Sequence, residues 1–246
     1  MRLDQQLLER GLCESREKAQ RSILAGQVRV NGHVADKPGR KVKPNDTLEL
    51  LAGERYVSRG GLKLEGALRE FALDPTGLRA LDVGASTGGF TDCLLQHGAT
   101  YVAAVDVGRG QLAWKLRNDP RVLVLEGVNA RELSTRHFPQ PFQPFDLAVL
   151  DCSFISLRRV LPPAFDLVRA GGKLVPLIKP QFEAGREEAD RGRGVITDPA
   201  VHERVLAELR VFVESLPRLH WRGVTASPLL GPAGNKEFLA LLEKAS

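Results

Sequence analysis

Leu81-Asp82-Val83-Gly84-Ala85-Ser86-Thr87-Gly88-Gly89-Phe90 is the stretch on which the fold turns. It closes an apolar run, 79–83, and breaks at once into glycines. That is the pattern of a buried parallel strand feeding a tight turn, where missing side chains let the backbone approach a nucleotide at the strand's carboxyl end. Asp106 stands 22 residues after Gly84, at the end of the next apolar run. An acidic residue there accepts the hydrogen bonds of a ribose diol.

Three chemistries compete for this loop. Gly84-Ala85-Ser86-Thr87-Gly88 fits the Gly-x-Ser-x-Gly nucleophile elbow of hydrolases, but it follows the first strand of its domain, and His202 and His220 have no motif around them. A dinucleotide fold wants Gly-x-Gly-x-x-Gly, and Ser86 stands where the second glycine would admit the pyrophosphate. S-adenosylmethionine carries ribose and adenine without phosphate, and its cations suit an acidic Asp82. It fits the loop best. Contacts are expected from Asp82, Gly84, Ala85, Ser86, Thr87, Gly88 and Phe90, with Asp106 on the ribose and Asn129 at the adenine edge.

Outward from the loop, an amphipathic helix carrying Leu64, Leu68 and Phe71 is expected over 61–73. Strands follow at 79–83, 101–105, 122–125, 146–150 and 173–178, separated by helical segments, and this alternation predicts a parallel sheet with crossovers. Runs 221–226 and 238–242 read as a closing antiparallel pair. The expected class is α/β, a Rossmann-like methyltransferase sheet over 61–246, preceded by a small α+β domain over 1–52 and a linker over 53–60.

Composition agrees. Of 246 residues 43% are hydrophobic and 26% charged, enough for one core and a small satellite. No apolar run approaches the ~20 residues of a membrane span. The N-terminus has no apolar signal segment, so a cytoplasmic protein is expected. Cys13, Cys93 and Cys152 are scattered and odd in number, which fits neither disulfides nor a metal site.

Residues 1–60 hold 12 Lys and Arg against 8 Asp and Glu, whereas 61–246 hold 23 against 22. The positive excess sits in the first quarter, where polyanions such as RNA are the partners to consider. Leu3, Leu7 and Leu8 share a helical face that Gly11 stops; Ser15 caps a second helix with Ala19, Ile23 and Leu24. Val28-Arg29-Val30 leads into the hairpin signal Asn31-Gly32. Arg16, Lys18, Arg21 and Arg29 could form a cationic surface for folded RNA, which is recognised largely by shape. Arg2-Leu3-Asp4-x-x-Leu7, Ser15-Arg16 and Gly26-x-Val28-x-Val30-Asn31-Gly32 resemble the alpha-L RNA-binding domain. The resemblance adds Arg2 to the expected RNA contacts.

Four charged residues fall near strand ends or helix starts: Lys63, Asp151, Lys179 and Glu237. Singly, Lys63 reads as a solvated helix lysine and Glu237 as a surface carboxylate. Together they resemble the Lys-Asp-Lys-Glu tetrad of FtsJ-like ribose 2′-O-methyltransferases. Ser58-Arg59-Gly60-Gly61-x-Lys63-Leu64, Asp106-Val107-Gly108-x-Gly110-Gln111-Leu112, Lys179-Pro180-Gln181-Phe182-Glu183 and Ser227-Pro228-x-x-Gly231-Pro232 extend the resemblance to the TlyA family along nearly the whole chain. It implies a cytidine 2′-O-methyltransferase acting on ribosomal RNA or ribosomal subunits. Dual-target members carry short extensions at both termini, so a chain running from Arg2 to Ser246 implies a large-subunit (23S) target only. Some relatives are called haemolysins, which offers membrane activity as a second reading.

A ribose hydroxyl is a poor nucleophile, so a neighbour must take or draw off its proton. Lys179, as the neutral amine favoured by burial and by a nearby Lys63, is the expected base; the alternative makes it a charged hydrogen-bond donor with no base role. Asp151 orients it, Lys63 stabilises the oxyanion, and Glu237 fixes the lysines. Region 185–198, glycine-rich and charged, is read as a loop that closes over RNA or as a plain surface loop.

Overall fold

A computed structural model describes residues 1–51, 55–185, 188, 192 and 194–246. The chain divides into two compact units, Met1–Arg55 and Tyr56–Ser246.

In the first unit, helices α1 (Leu3–Glu9) and α2 (Arg16–Leu24) pack on a three-stranded sheet, β1 (Val28–Val30), β2 (His33–Val34) and β3 (Leu48–Leu50), in the order β2-β1-β3. Ser15 caps α2 by accepting the Lys18 N–H, as its position before an apolar period predicts. Asn31 and Gly32 both adopt positive φ, the geometry of the two-residue hairpin that Asn-Gly encodes. Leu3, Leu7, Ala19 and Ile23 are buried together with Val28 and Val30. The helical period leaves Leu8 and Leu24 exposed, contrary to the expected faces.

The second unit begins at Tyr56, so the last residues of the expected linker belong to it; residues 53 and 54 lie outside the described residues. Tyr56 is buried, and a Cβ on Gly61 would lie 2.2 Å from its ring, which is why the helix that follows opens with glycines. That helix is α3 (Gly60–Glu70), three residues shorter at its end than the period predicts, because Ala72 takes a positive φ after it.

The sheet comprises β4 (Arg79–Val83), β5 (Tyr101–Asp106), β6 (Val122–Glu126), β7 (Phe145–Leu150), β8 (Val168–Ile178), β9 (Leu219–Ala226) and β10 (Phe238–Lys244) in the order β6-β5-β4-β7-β8-β10-β9. β4 to β8 are parallel; β10 runs antiparallel to both β8 and β9. Every expected strand is present, and β8 starts five residues earlier than expected. The crossovers are α4 (Gly89–Gln96), α5 (Trp114–Arg117), α6 (Leu157–Asp166) and α8 (Pro199–Ser215), with a single-turn α7 (Pro180–Glu183) directly after β8.

Alternation along the strands builds two cores. Leu81, Val83, Ala103, Val105, Ala148 and Leu150 face α6 and α8. Ala80, Val102, Ala104, Leu147 and Val149 face α3 and α4. Burial on both faces is what the unbroken apolar runs encode. Chain order reverses on either side of β4, so the crevice outside the carboxyl ends of β4 and β7 is where a ligand is expected.

Candidate active site

The four charged residues meet at that crevice. Asp151 follows β7 and Lys179 follows β8. Glu237 immediately precedes β10, whose antiparallel register sets Phe238 opposite Ile178 and so brings its start to the same sheet end. Lys63 comes from the first turn of α3. One cavity of ≈ 270 Å³ has Lys63, Asp151, Lys179 and Glu237 on its wall, together with Gly84 and Ser86 of the loop.

Within it the groups form two ion pairs. Lys63 Nζ lies 2.5 Å from Glu237 Oε2, and Lys179 Nζ lies 2.6 Å from Asp151 Oδ1. Lys63 (7% exposed) and Glu237 (1%) are buried, which corrects the solvated and surface readings each had alone. A Cβ on Gly231 would stand 2.5 Å from Glu237 Oε1, so the glycine is what gives that carboxylate its room. Lys179 also donates to Ser153 Oγ at 2.9 Å, a contact the sequence did not single out because a lone serine has no spacing signal. Burial, then the neighbouring Asp151 charge, push the Cys152 thiol up to about 12, so it stands beside the site as a neutral thiol.

A second cavity of ≈ 620 Å³ shares Gly84, Ser86, Asp151 and Ser153 with the first and adds Asp106 and Asn129. Gly84 has φ +85°, and a Cβ there would lie 2.8 Å from the Asp151 carbonyl oxygen. Only glycine lets the loop and the end of β7 come this close. The Asp106 carboxylate accepts the Ser86 N–H at 2.8 Å and the Gly108 N–H at 2.7 Å, which fixes its orientation on the cavity wall. Asn129 caps a short turn by accepting the Arg131 N–H. Carboxylates at Asp106 and Asp151, which accept, and amides at Gln111 and Asn129, which both donate and accept, suit a diol, an ammonium group and an adenine edge, so the wall fits S-adenosylmethionine.

Two expected loop residues are placed elsewhere. Asp82 lines neither cavity; strand alternation turns it toward α4, where it is fully buried and accepts the Thr91 hydroxyl at 2.6 Å. Its Oδ1 has no hydrogen-bond partner among the described residues, and burial pushes its carboxyl up to about 7. Gly88 also lines neither cavity: at φ +96° it makes room for Leu116 and Leu112, which a Cβ would meet at 2.3 and 2.8 Å. Ala85, Thr87 and Phe90 line the smaller cavity.

In the first unit, Asp4 is completely buried and receives Arg2, Arg16 and Gln20. The Arg2 hydrogen bonds, aided by those of Gln20 and Arg16, hold its carboxyl well below the usual range against the cost of burial. Both arginines remain about half exposed, so each spends one edge on Asp4 and keeps another for solvent. Lys18 pairs with Glu14 on the surface, and Arg21 and Arg29 are exposed.

Sheet order, glycine loop and acidic strand tip are those of a Rossmann-like methyltransferase fold, and comparison with solved structures agrees. An N-methyltransferase NodS from Bradyrhizobium japonicum, in complex with S-adenosyl-L-homocysteine, superposes with TM-score 0.51 at 16% identity, covering 77% of this chain and 89% of that one. A Streptococcus thermophilus structure with the provisional name hemolysin superposes with TM-score 0.75 at 45% identity, covering 100% of this chain and 89% of that one. Residues 56–244 match the FtsJ-like methyltransferase family and residues 1–48 the S4 domain.

Mycobacterium tuberculosis TlyA, a 16S/23S rRNA (cytidine-2′-O)-methyltransferase, is 48% identical over 98% of this chain and 89% of its own. Hemolysin A of Brachyspira hyodysenteriae is 43% identical over 98% of each. Campylobacter jejuni TlyA, a 23S rRNA (cytidine-2′-O)-methyltransferase, is 33% identical over 78% of this chain and 73% of its own. The chain belongs to the TlyA family of FtsJ-like methyltransferases. It is an S-adenosylmethionine-dependent RNA methyltransferase.

Proposed function

We propose that this enzyme methylates the ribose 2′-hydroxyl of a cytidine in large-subunit (23S) ribosomal RNA. The observation that carries the chemistry is the pair of ion pairs, Lys63–Glu237 and Lys179–Asp151, on the wall of one cavity beside the glycine loop. The substrate rests on the two TlyA relatives, whose names share 23S rRNA and cytidine-2′-O chemistry.

When bound, S-adenosylmethionine supplies a methyl carbon made electrophilic by its sulfonium. Asp106 accepts hydrogen bonds from its ribose diol, Asn129 reads its adenine edge, and Ala85, Ser86, Thr87 and Phe90 shape the remaining wall. Lys179 takes the proton of the target hydroxyl. As an ammonium it has three N–H bonds, two of them accepted by Asp151 and Ser153. As a neutral amine it keeps those two and has one lone pair left for the incoming proton. Lys63, held by Glu237, stabilises the negative charge that develops on the ribose oxygen. Arg2, Arg16, Lys18, Arg21 and Arg29 of the S4 unit contact RNA phosphates and 2′-hydroxyls.

No described helix is long and apolar enough to cross a membrane. The deciding assay is methyl transfer from labelled S-adenosylmethionine to separated large and small ribosomal subunits, followed by digestion to nucleosides. Label in 2′-O-methylcytidine from the large subunit is expected. Label from both would widen the target to the dual specificity of the mycobacterial relative. Label from the small subunit alone would overturn the proposal.

A further inference from the structure

We infer that Glu183 is a positioning residue that clasps together the two loops carrying Asp151 and Lys179. The inference rests on the reading of Asp151 and Lys179 as the proton-handling pair. These two residues leave neighbouring parallel strands, and each sits on a separate segment, 151–157 and 179–183. Glu183 lies on the single turn α7, four residues after Lys179, and its carboxylate reaches across to the other segment. Oε1 accepts the Leu157 N–H at 2.7 Å and Oε2 accepts the Ser156 hydroxyl at 2.7 Å.

Those two groups open α6, where N–H groups have no partner within the helix and the dipole favours an anion. Ser156 in turn accepts the Arg158 N–H at 3.2 Å, so the clasp continues into the helix. The two segments also meet through the Lys179 bonds to Asp151 and Ser153 and through Phe154 and Phe182, whose ring centres are 5.1 Å apart. Phe154 is 90% exposed and has φ +62°, a backbone conformation that costs energy and so needs support from the surrounding contacts. The two strong bonds of Glu183 anchor the far ends of both loops, so the Lys179 amine meets Asp151 and Ser153 without a search. Positioning errors near 1 Å at reacting groups cost on the order of 100-fold in rate.

The test compares Glu183→Ala, Glu183→Asp and Glu183→Gln for kcat, KM for RNA and Kd for S-adenosylmethionine, with Lys179→Ala in parallel. Glutamine keeps the carbonyl that accepts from Leu157, and its amide can donate to Ser156 Oγ. Aspartate keeps the charge but is one methylene too short. The alanine and aspartate variants are expected to lose kcat by about 10- to 100-fold. KM and Kd should stay within about twofold of the parent, and the glutamine variant should recover to within about threefold. Wild-type kcat in Glu183→Asp, or a loss of kcat matched by a loss of cofactor binding, would overturn the inference. If Glu183→Ala does not fold, the aspartate and glutamine pair decides alone. Activity retained by Lys179→Ala would instead overturn the underlying reading of the pair.

Discussion

Asp82, behind the glycine loop, has a buried Oδ1 with no hydrogen-bond partner among the described residues, and its carboxyl, raised by burial to about 7, makes a prediction about stability rather than ligand binding. A raised folded value means the folded state binds more protons than the unfolded chain between the ordinary 3.8 and about 7. Stability from this group is therefore full below pH ~4, is lost as pH rises through ~7, and then levels off. Asp82→Asn keeps an acceptor for Thr91 and cannot ionise. Urea unfolding at pH 5 and pH 8 is expected to show the variant gaining on the parent at the higher pH, by on the order of a few kcal/mol at most. An equal difference at both pH values would contradict the burial account. Lys179→Arg tests the base role in the same way: arginine does not lose its proton, so kcat should fall by about 10²- to 10⁴-fold while S-adenosylmethionine still binds. At this scale charge at the carboxyl end of a buried strand pointed to Asp151 and Lys179, whereas Lys63 and Glu237 were named by the resemblance to the Lys-Asp-Lys-Glu tetrad. It misdirected Asp82, since an acid in an apolar strand looks functional until the alternation of Ala80 and Asp82 toward α4 is followed.

The elements impose their own constraints, and two glycines expose them. Gly231→Ala would drive a methyl to within 2.5 Å of Glu237 Oε1, on a carboxylate too buried to retreat. It is expected to break the Lys63–Glu237 pair and lower kcat by about tenfold or more, measured on protein whose circular dichroism matches the parent. Gly84→Ala adds positive-φ strain of about 1–3 kcal/mol to a 2.8 Å clash with the end of β7, and a corresponding loss of stability in thermal unfolding checks it. The central strands were legible because runs buried on both faces leave an unbroken apolar signature, whereas the polar start of β8 and the half-exposed β9 hid their first residues. Helix ends were less so: α3 stops at Glu70 on a backbone turn at Ala72, where no glycine or proline announces it. Ser153 and Glu183 were not singled out as site residues, since their meaning lies in partners on another segment.

For the molecule as a whole, charge and chemistry are divided between two units. The positive excess of the opening 60 residues belongs to the S4 unit, where Asp4 holds Arg2 and Arg16 by one edge each. Arg2→Ala and Arg16→Ala are expected to weaken RNA binding and to reduce the slope of log affinity against log salt by roughly 0.7–0.9 per lost phosphate contact, leaving S-adenosylmethionine binding unchanged. Filter binding across roughly 50–200 mM salt measures it, and an unchanged slope would make these arginines purely structural partners of Asp4. Charge and the change of period drew attention to the region before residue 61, and the two units meet after Arg55, inside the expected linker 53–60; of the segment 185–198, residues 186, 187, 189–191 and 193 lie outside the described residues. The central claim is that the methyl group goes to a ribose oxygen. Alkali cleaves RNA only where a free 2′-hydroxyl attacks the neighbouring phosphate, so the most direct measurement is alkaline hydrolysis of RNA labelled by the enzyme. Label recovered in an alkali-stable dinucleotide, and absent with Lys179→Ala, is the predicted result; label recovered in mononucleotides would place the methyl group on a base and contradict the account.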